Sequence, residues 1–151
     1  MPIVLRQATP ADRPTLAEYN RRLAWETEHK TLDADTLAAG VAAVLEDVSR
    51  GVYYVAEEAG EVVGQLMITT EWSDWRNGWF WWIQSVYVRE DYRRRGVFRA
   101  LYDHALAEAK RRGDVVGLRL YVERENLRAQ QTYRDLGMEE MPFFLYHRWP
   151  L

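Results

Sequence analysis

The sequence predicts a single α/β (α+β) domain, residues 1–151, with helices packed on a sheet. Three observations predict it. Two segments of helical period come first, at about 9–23 and 34–49. Three strand-like segments then follow with only turn residues between them, at 52–58, 62–70 and 79–88. From there a strand, an arginine- and glycine-rich loop, a helix, a strand and a helix alternate.

Composition narrows the classes. A chain of 151 residues, 48% hydrophobic and 28% charged, can bury a substantial core. The formal net charge of −3 gives the whole molecule no attraction to nucleic acid or to an anionic membrane. No run of apolar residues reaches membrane-spanning length, and "MPIVLRQATPADRP" lacks the apolar core of a signal peptide. A cytoplasmic protein is the expectation. The absence of cysteine excludes disulfides, cysteine-ligated zinc and a cysteine nucleophile.

Thr9-Pro10-Ala11-Asp12 has the form of a helix start, a capping threonine with proline next and an acid at the third position. Leu16, Tyr19 and Leu23 continue it. The second helix, Ala34 to about Ser49, carries Leu37, Val41, Val44, Leu45 and Val48 on one face, and Gly51 lies just beyond its end. "VYYVAEE", the turn "AGE", "VVGQLMITT", the turn-rich "EWSDWRNG" and "WFWWIQSVYV" then predict an antiparallel meander. The last of these strands is apolar almost throughout, as expected of one buried on both faces. Apolar residues at 97, 98, 101, 105, 106 and 109 predict a helix that ends in Lys110, Arg111 and Arg112, with Gly113 after it. "VGLRLYV" (116–122) predicts a strand, Asn126 through Leu136 a short helix stopped by Gly137, and "FFLYHRW" (143–149) a closing strand.

The unusual stretch is "RRRGVFR", residues 93–99. Cations at a helix N-terminus oppose the helix dipole by roughly 0.3–1 kcal/mol each. A glycine turn from strand into helix also aims several backbone N–H groups at one point, which makes an anion site. The charge alone fits a solvated face, a nucleic-acid patch or a cradle for a phosphorylated small molecule. The acids Glu90 and Asp91 and the net charge oppose the second reading. Neither GxxxxGK[ST] nor GxGxxG is present, so no nucleoside triphosphatase or dinucleotide fold is indicated.

Residues 83–138 resemble the core of the GNAT superfamily of N-acetyltransferases, which use acetyl-coenzyme A. Arg93-Arg94-Arg95-Gly96-Val97-Phe98 matches the first two specified positions of the family's [Q/R]-x-x-G-x-[G/A] loop, and Phe98 departs at the third. Asn126, Ala129, Tyr133 and Gly137 reproduce an N-x-x-A-x-x-x-Y-x-x-x-G pattern. The resemblance implies a GNAT-like mixed, mainly antiparallel sheet of about six to seven strands with about four helices. It also implies a splayed parallel strand pair at the coenzyme site. It places acetyl-coenzyme A on Val86, Tyr87, Val88, Arg93, Arg94, Arg95, Gly96, Val97, Phe98, Arg99, Asn126 and Tyr133. Backbone groups of Val86 and Val88 would hold the pantetheine arm, with the Tyr87 side chain on the opposite face. The N–H groups of residues 94–99 would hold the pyrophosphate, and one near Ser85 or Val86 the oxyanion.

On the same resemblance Tyr133 is the general acid that protonates the departing thiolate. Glu71, Glu26 or Glu28, or a water, takes the proton from the amine. Glu26, Glu28, Glu71, Trp72 and Trp75 are the candidate acceptor-binding residues, since an acidic, tryptophan-rich pocket suits a cationic amine. The tryptophans at 72, 75, 79, 81 and 82 serve equally as packing or as a subunit interface. His29, His104 and His147 have no partner pattern, and no metal site is expected. With no cysteine to carry the acyl group, direct transfer in a ternary complex to a small-molecule or protein amine is the expected reaction. A non-catalytic coenzyme A-binding or protein-interaction module of the same fold is the alternative, and a homodimer stays open.

Overall fold

A computed structural model describes residues 2–151 of the chain. Its internal contacts form two units, one ending at Tyr121 and one running from Val122 to Leu151.

The first unit contains β1 (Val4–Gln7), a 3₁₀ turn (Pro10–Asp12), α1 (Arg13–Glu28), α2 (Ala34–Glu46), β2 (Val52–Glu58), β3 (Glu61–Ser73) and β4 (Gly78–Val88). A second 3₁₀ turn (Glu90–Tyr92), α3 (Val97–Arg112) and β5 (Val115–Leu120) complete it. The sheet order is β1-β2-β3-β4-β5. Every pairing is antiparallel except β4 with β5, where α3 makes the crossover that a parallel pair requires. The predicted meander is therefore present as β2-β3-β4. The expected six to seven strands are not: the sheet has five.

β1 (Val4–Gln7) is not among the strands read from the sequence, and of those that are, the one at 143–149 is absent. These residues form no strand, and Phe143, Phe144, Leu145 and Tyr146 are 76, 78, 71 and 89% exposed. Strand propensity reports how well a side chain suits a half-buried sheet surface, and a strand forms only where a neighbour takes up its backbone. Val122–Leu151 supplies one helix, α4 (Leu127–Asp135), and no strand to pair with. Nor does "FFLY" alternate apolar with polar, so composition alone suggested the strand.

Two sequence features that looked like breakers are absorbed into regular structure. β3 runs on through Glu71-Trp72-Ser73, and β4 begins at Gly78 directly after Asn77, whose φ of 50° closes the hairpin. At the other end of the sheet Asp12 ties three elements together. Its carboxylate accepts from the Thr9 N–H at 2.7 Å and from Arg6 Nη1 and Nη2 at 2.8 and 2.9 Å. Arg6 also donates to Glu57 at 2.6 Å, which links β1, the first turn and β2.

α1 and α2 cover one face of the sheet, where Leu16, Val41, Tyr53 and Val55 form a buried cluster. α3 covers the other with Val97, Leu101, Ala105 and Ala109 buried. Its first turn comes unusually close to β3: a Cβ on Gly64 would lie 2.7 Å from Val97 Cγ1 and 3.4 Å from Leu101 Cδ1. The lack of a side chain at 64 thus sets where the N-terminus of α3 stands.

Arg6 holds the Asp12 carboxyl below its ordinary value of 3.8. A folded-state value depressed below the unfolded one adds stability above the unfolded value, lost as the pH falls through the folded one. Asp12→Asn should therefore cost roughly 1–2 kcal/mol at neutral pH, and progressively less as the pH falls below 3.8. Denaturant unfolding of both proteins from neutral pH down through 3.8 checks this.

Candidate functional site

The site is built around an irregularity in β4. Met67 pairs with Gln84 and Gln65 with Tyr87, so Ser85 and Val86 together stand opposite Leu66. This two-against-one register is a β-bulge, and it leaves a residue outside the ladder. Ser85 takes a φ of 51°, a left-handed conformation costly to a residue with a side chain. On its other edge β4 pairs with β5 only as far as Ile83 with Leu120. Residues 84–88 therefore run on past the end of β5, with no parallel pairing among the described residues.

The chain then enters the 3₁₀ turn Glu90–Tyr92 and reaches Arg94 and Gly96, both with positive φ (64° and 77°). Gly96 is the N-cap of α3 and offers no side-chain cap. The first N–H groups of any helix lack intrahelical acceptors and carry the positive end of its dipole. At 96 glycine is favoured by its left-handed conformation and not by space, since a Cβ there would meet nothing within 4 Å.

The arginines of this loop divide by partner. Arg93 donates to Glu26 Oε1 at 2.7 Å and to the Val88 carbonyl at 2.9 Å, and lies 5.2 Å above the Tyr87 ring. Arg99 pairs with Asp103 at 3.4 Å. Arg94 and Arg95 are exposed and form no salt bridge among the described residues; Arg95 lies over the Tyr92 ring at 4.9 Å. Two of the loop's cations thus stand beside a helix N-terminus without a salt bridge among the described residues. The Phe98 ring lies along α3 toward Tyr102, with centroids 6.2 Å apart.

Tyr87 projects onto the α1 side of the sheet. Its hydroxyl donates to Glu26 Oε2 at 2.9 Å, and its ring meets Tyr19 edge-on at 5.0 Å. Burial, reinforced by Glu26, pushes the Tyr87 phenol above 10.0. Hydrogen bonds from Arg93 and Tyr87 hold the Glu26 carboxyl below its usual value despite its desolvation. Leu23, Glu26 and Thr27 of α1 and Val86, Tyr87 and Val88 of β4, with Arg93, line a cavity of about 310 Å³.

The remaining candidates lie elsewhere. Glu71 is half exposed on β3, and both its oxygens are occupied: Trp82 Nε1 donates at 2.9 Å and Arg119 at 3.2 Å. Arg119 in turn sits 3.6 Å from the Phe80 ring centroid. Trp72 packs edge-on against its cross-strand partner Trp79 at 5.0 Å, one register step from Glu71 and so on the opposite face. Trp75 is 90% exposed in the β3–β4 turn. The tryptophans do not form one pocket with Glu71. Glu28, at the last position of α1, pairs with Lys30 at 3.2 Å.

In the second unit Asn126 caps α4, its Oδ1 accepting from the Ala129 N–H at 3.1 Å. Tyr133 lies on the same helix, and burial raises its phenol above 10.0. No cluster of three or more metal-ligating side chains occurs among the described residues, and no helix there is long and apolar enough to cross a membrane.

Sequence reasoning passed over Arg119 and Gln65. The signal available for each was a polar residue interrupting an apolar strand.

A model of the acetyltransferase (GNAT) family matches residues 13–138. A possible acetyltransferase from Clostridium difficile 630 is 46% identical and superposes with a TM-score of 0.93, over 99% of this chain and 98% of that one. A predicted acetyltransferase from Clostridium acetobutylicum, solved with acetyl-CoA, is 18% identical with a TM-score of 0.79, covering 97% and 96%. AAC(6')-Iy, solved with the bisubstrate analog CoA-S-monomethyl-acetylneamine, is 17% identical with a TM-score of 0.77, covering both chains in full. These last two share the fold. Among curated protein sequences none matches significantly.

Because a Cβ at 96 meets no atom, Gly96→Ala should cost only the left-handed conformation, about 1 kcal/mol. Denaturant unfolding checks this, and a loss well beyond it would indicate a steric role.

Proposed function

The chain belongs to the acetyltransferase (GNAT) family, and from that premise we propose that it transfers an acetyl group from acetyl-CoA to an amine within a ternary complex. One observation carries the reading. The β4 bulge, the stretch of β4 beyond the end of β5, and the uncapped N-terminus of α3 follow each other within residues 84–97. A long ligand with a diphosphate at one end and a thioester at the other suits that succession. The backbone of Val86 and Val88 would run beside the pantetheine arm. The pyrophosphate would lie on the N–H groups of residues 94–99, with Arg94 and Arg95 as its charge partners. The Arg93 side chain, held by Glu26 and Val88, shapes the loop in this account.

The amine nitrogen attacks the thioester carbonyl, the new N–C bond forms and the C–S bond breaks. A bulge N–H near Val86 stabilises charge on the carbonyl oxygen. Tyr133 gives its proton to the departing sulfur, and its raised value keeps it protonated through the neutral range. The proton lost by the amine goes to water. Glu71 is occupied by Trp82 and Arg119, and Glu26 by Arg93 and Tyr87, so neither carboxylate is a well-placed base.

Two measurements test this. Calorimetric titration should show acetyl-CoA binding, lost in Gly96→Asp, which sets a carboxylate where the diphosphate lies. Thiol release with a panel of amine acceptors should identify turnover. Tyr133→Phe should then keep the coenzyme Kd and lower kcat by about 10²–10⁴-fold. Because deprotonation of Tyr133 removes the acid, wild-type kcat should fall as the pH rises above 10.0. No coenzyme binding at millimolar concentration contradicts the proposal; binding without turnover on any acceptor supports a coenzyme-binding module instead.

A further inference from the structure

Beneath the β4 bulge lies a buried polar network with no part in the account above. Gln65, in the middle of β3, has no exposed surface, although the residues beside it are apolar. Its Nε2 donates to the Ser85 carbonyl at 3.0 Å and to Asn20 Oδ1 at 3.3 Å. Asn20, 7% exposed on α1, donates through Nδ2 to the hydroxyl of Tyr53 at 2.9 Å. Gln65 Oε1 is buried without a hydrogen-bond partner among the described residues. Turning the amide over would set Oε1 against two oxygens, so Ser85 and Asn20 fix its orientation.

Two unfavourable features therefore meet at one peptide group. A buried acceptor without a partner destabilises the fold, and a leucine at 65 would remove that acceptor while leaving the Ser85 carbonyl and Asn20 Oδ1 without their Gln65 donor. A left-handed serine within a strand is strained and persists only where its surroundings hold it. The Gln65 amide supplies that hold at the Ser85 carbonyl. We propose that Gln65 is a positioning residue for acyl transfer. It draws the Ser85 carbonyl toward the α1 side, keeps Ser85 left-handed, and so holds Val86 out of the β3 ladder with its N–H directed at the thioester carbonyl. Gln65 itself touches neither substrate. The role rests on the acetyltransferase reading, whereas the clamp on the bulge does not.

The test compares wild type, Gln65→Leu and Gln65→Leu/Ser85→Gly by thermal unfolding, acetyl-CoA Kd, kcat from thiol release, and the Val86 amide resonance. Gln65→Leu should lower the Tm yet remain folded, leave the Kd within about threefold, lower kcat by about 10–100-fold and move the Val86 amide resonance. Glycine takes positive φ freely, so adding Ser85→Gly should return both kcat and the resonance toward wild type. A Gln65→Leu variant with kcat within about twofold of wild type and an unmoved resonance overturns the proposal. So does a folded, slow Gln65→Leu that Ser85→Gly does not rescue. If Gln65→Leu does not fold, the double variant is read alone: folding with activity supports the clamp, and failure to fold overturns it. A wild type without turnover counts against the acetyltransferase reading only, because the Val86 resonance still reports the clamp.

Discussion

The hydrogen bond from Gln65 to the Ser85 carbonyl holds the geometry from which the rest of the site follows. It lies between two central strands, with Gln65 fully buried, and it acts on the one residue of β4 whose backbone is left-handed. Because two residues there oppose one, the alternation of side chains shifts by a step along β4. Trp82 and Gln84 precede the shift and Tyr87 follows it, yet all three face the α1 side. Without the extra residue Tyr87 would point to α3, and the contacts of Glu26 with Tyr87 and Arg93 would be lost together.

The second constraint is the close approach of α3 to β3 at Gly64. Val97 fills the space that a side chain would take, and Val97 is the first residue of the helix after Gly96. The position of the Gly96 turn is thereby set by packing in the core. The charge of the loop then sorts itself locally: Arg93 is bound to the protein, while Arg94 and Arg95 extend from a turn with two left-handed residues. Surface ion pairs such as Arg93 with Glu26 contribute little stability, so their effect here is on direction.

Much of this was legible in the sequence because local rules decide it. The helix from Val97 to Arg112, its flanking glycines and the meander all follow from period and turn residues. Asn126 as a cap followed from residue type and is present as such. Long-range pairings were not legible. Glu26 and Arg93 are 67 positions apart, and nothing in either neighbourhood announces the other. Gln65 looked like one polar letter in an apolar strand because its partners, Asn20 and Ser85, lie 45 and 20 positions away. The tryptophan-rich hairpin read as one cluster by composition, although strand alternation already separates Trp72 and Trp79 from Glu71 and Trp82. At residues 143–149, aromatic content suggested a strand where the structure has none.

The account makes the backbone of residues 86–99 the coenzyme site. The most direct measurement is a titration of labelled protein with acetyl-CoA, followed by its backbone amide resonances. The expected result is saturable movement confined to Val86, Val88 and residues 94–99 within the first unit, with Trp72 and Trp75 unmoved. Saturation that moves the β3–β4 turn and leaves residues 94–99 unchanged would contradict it.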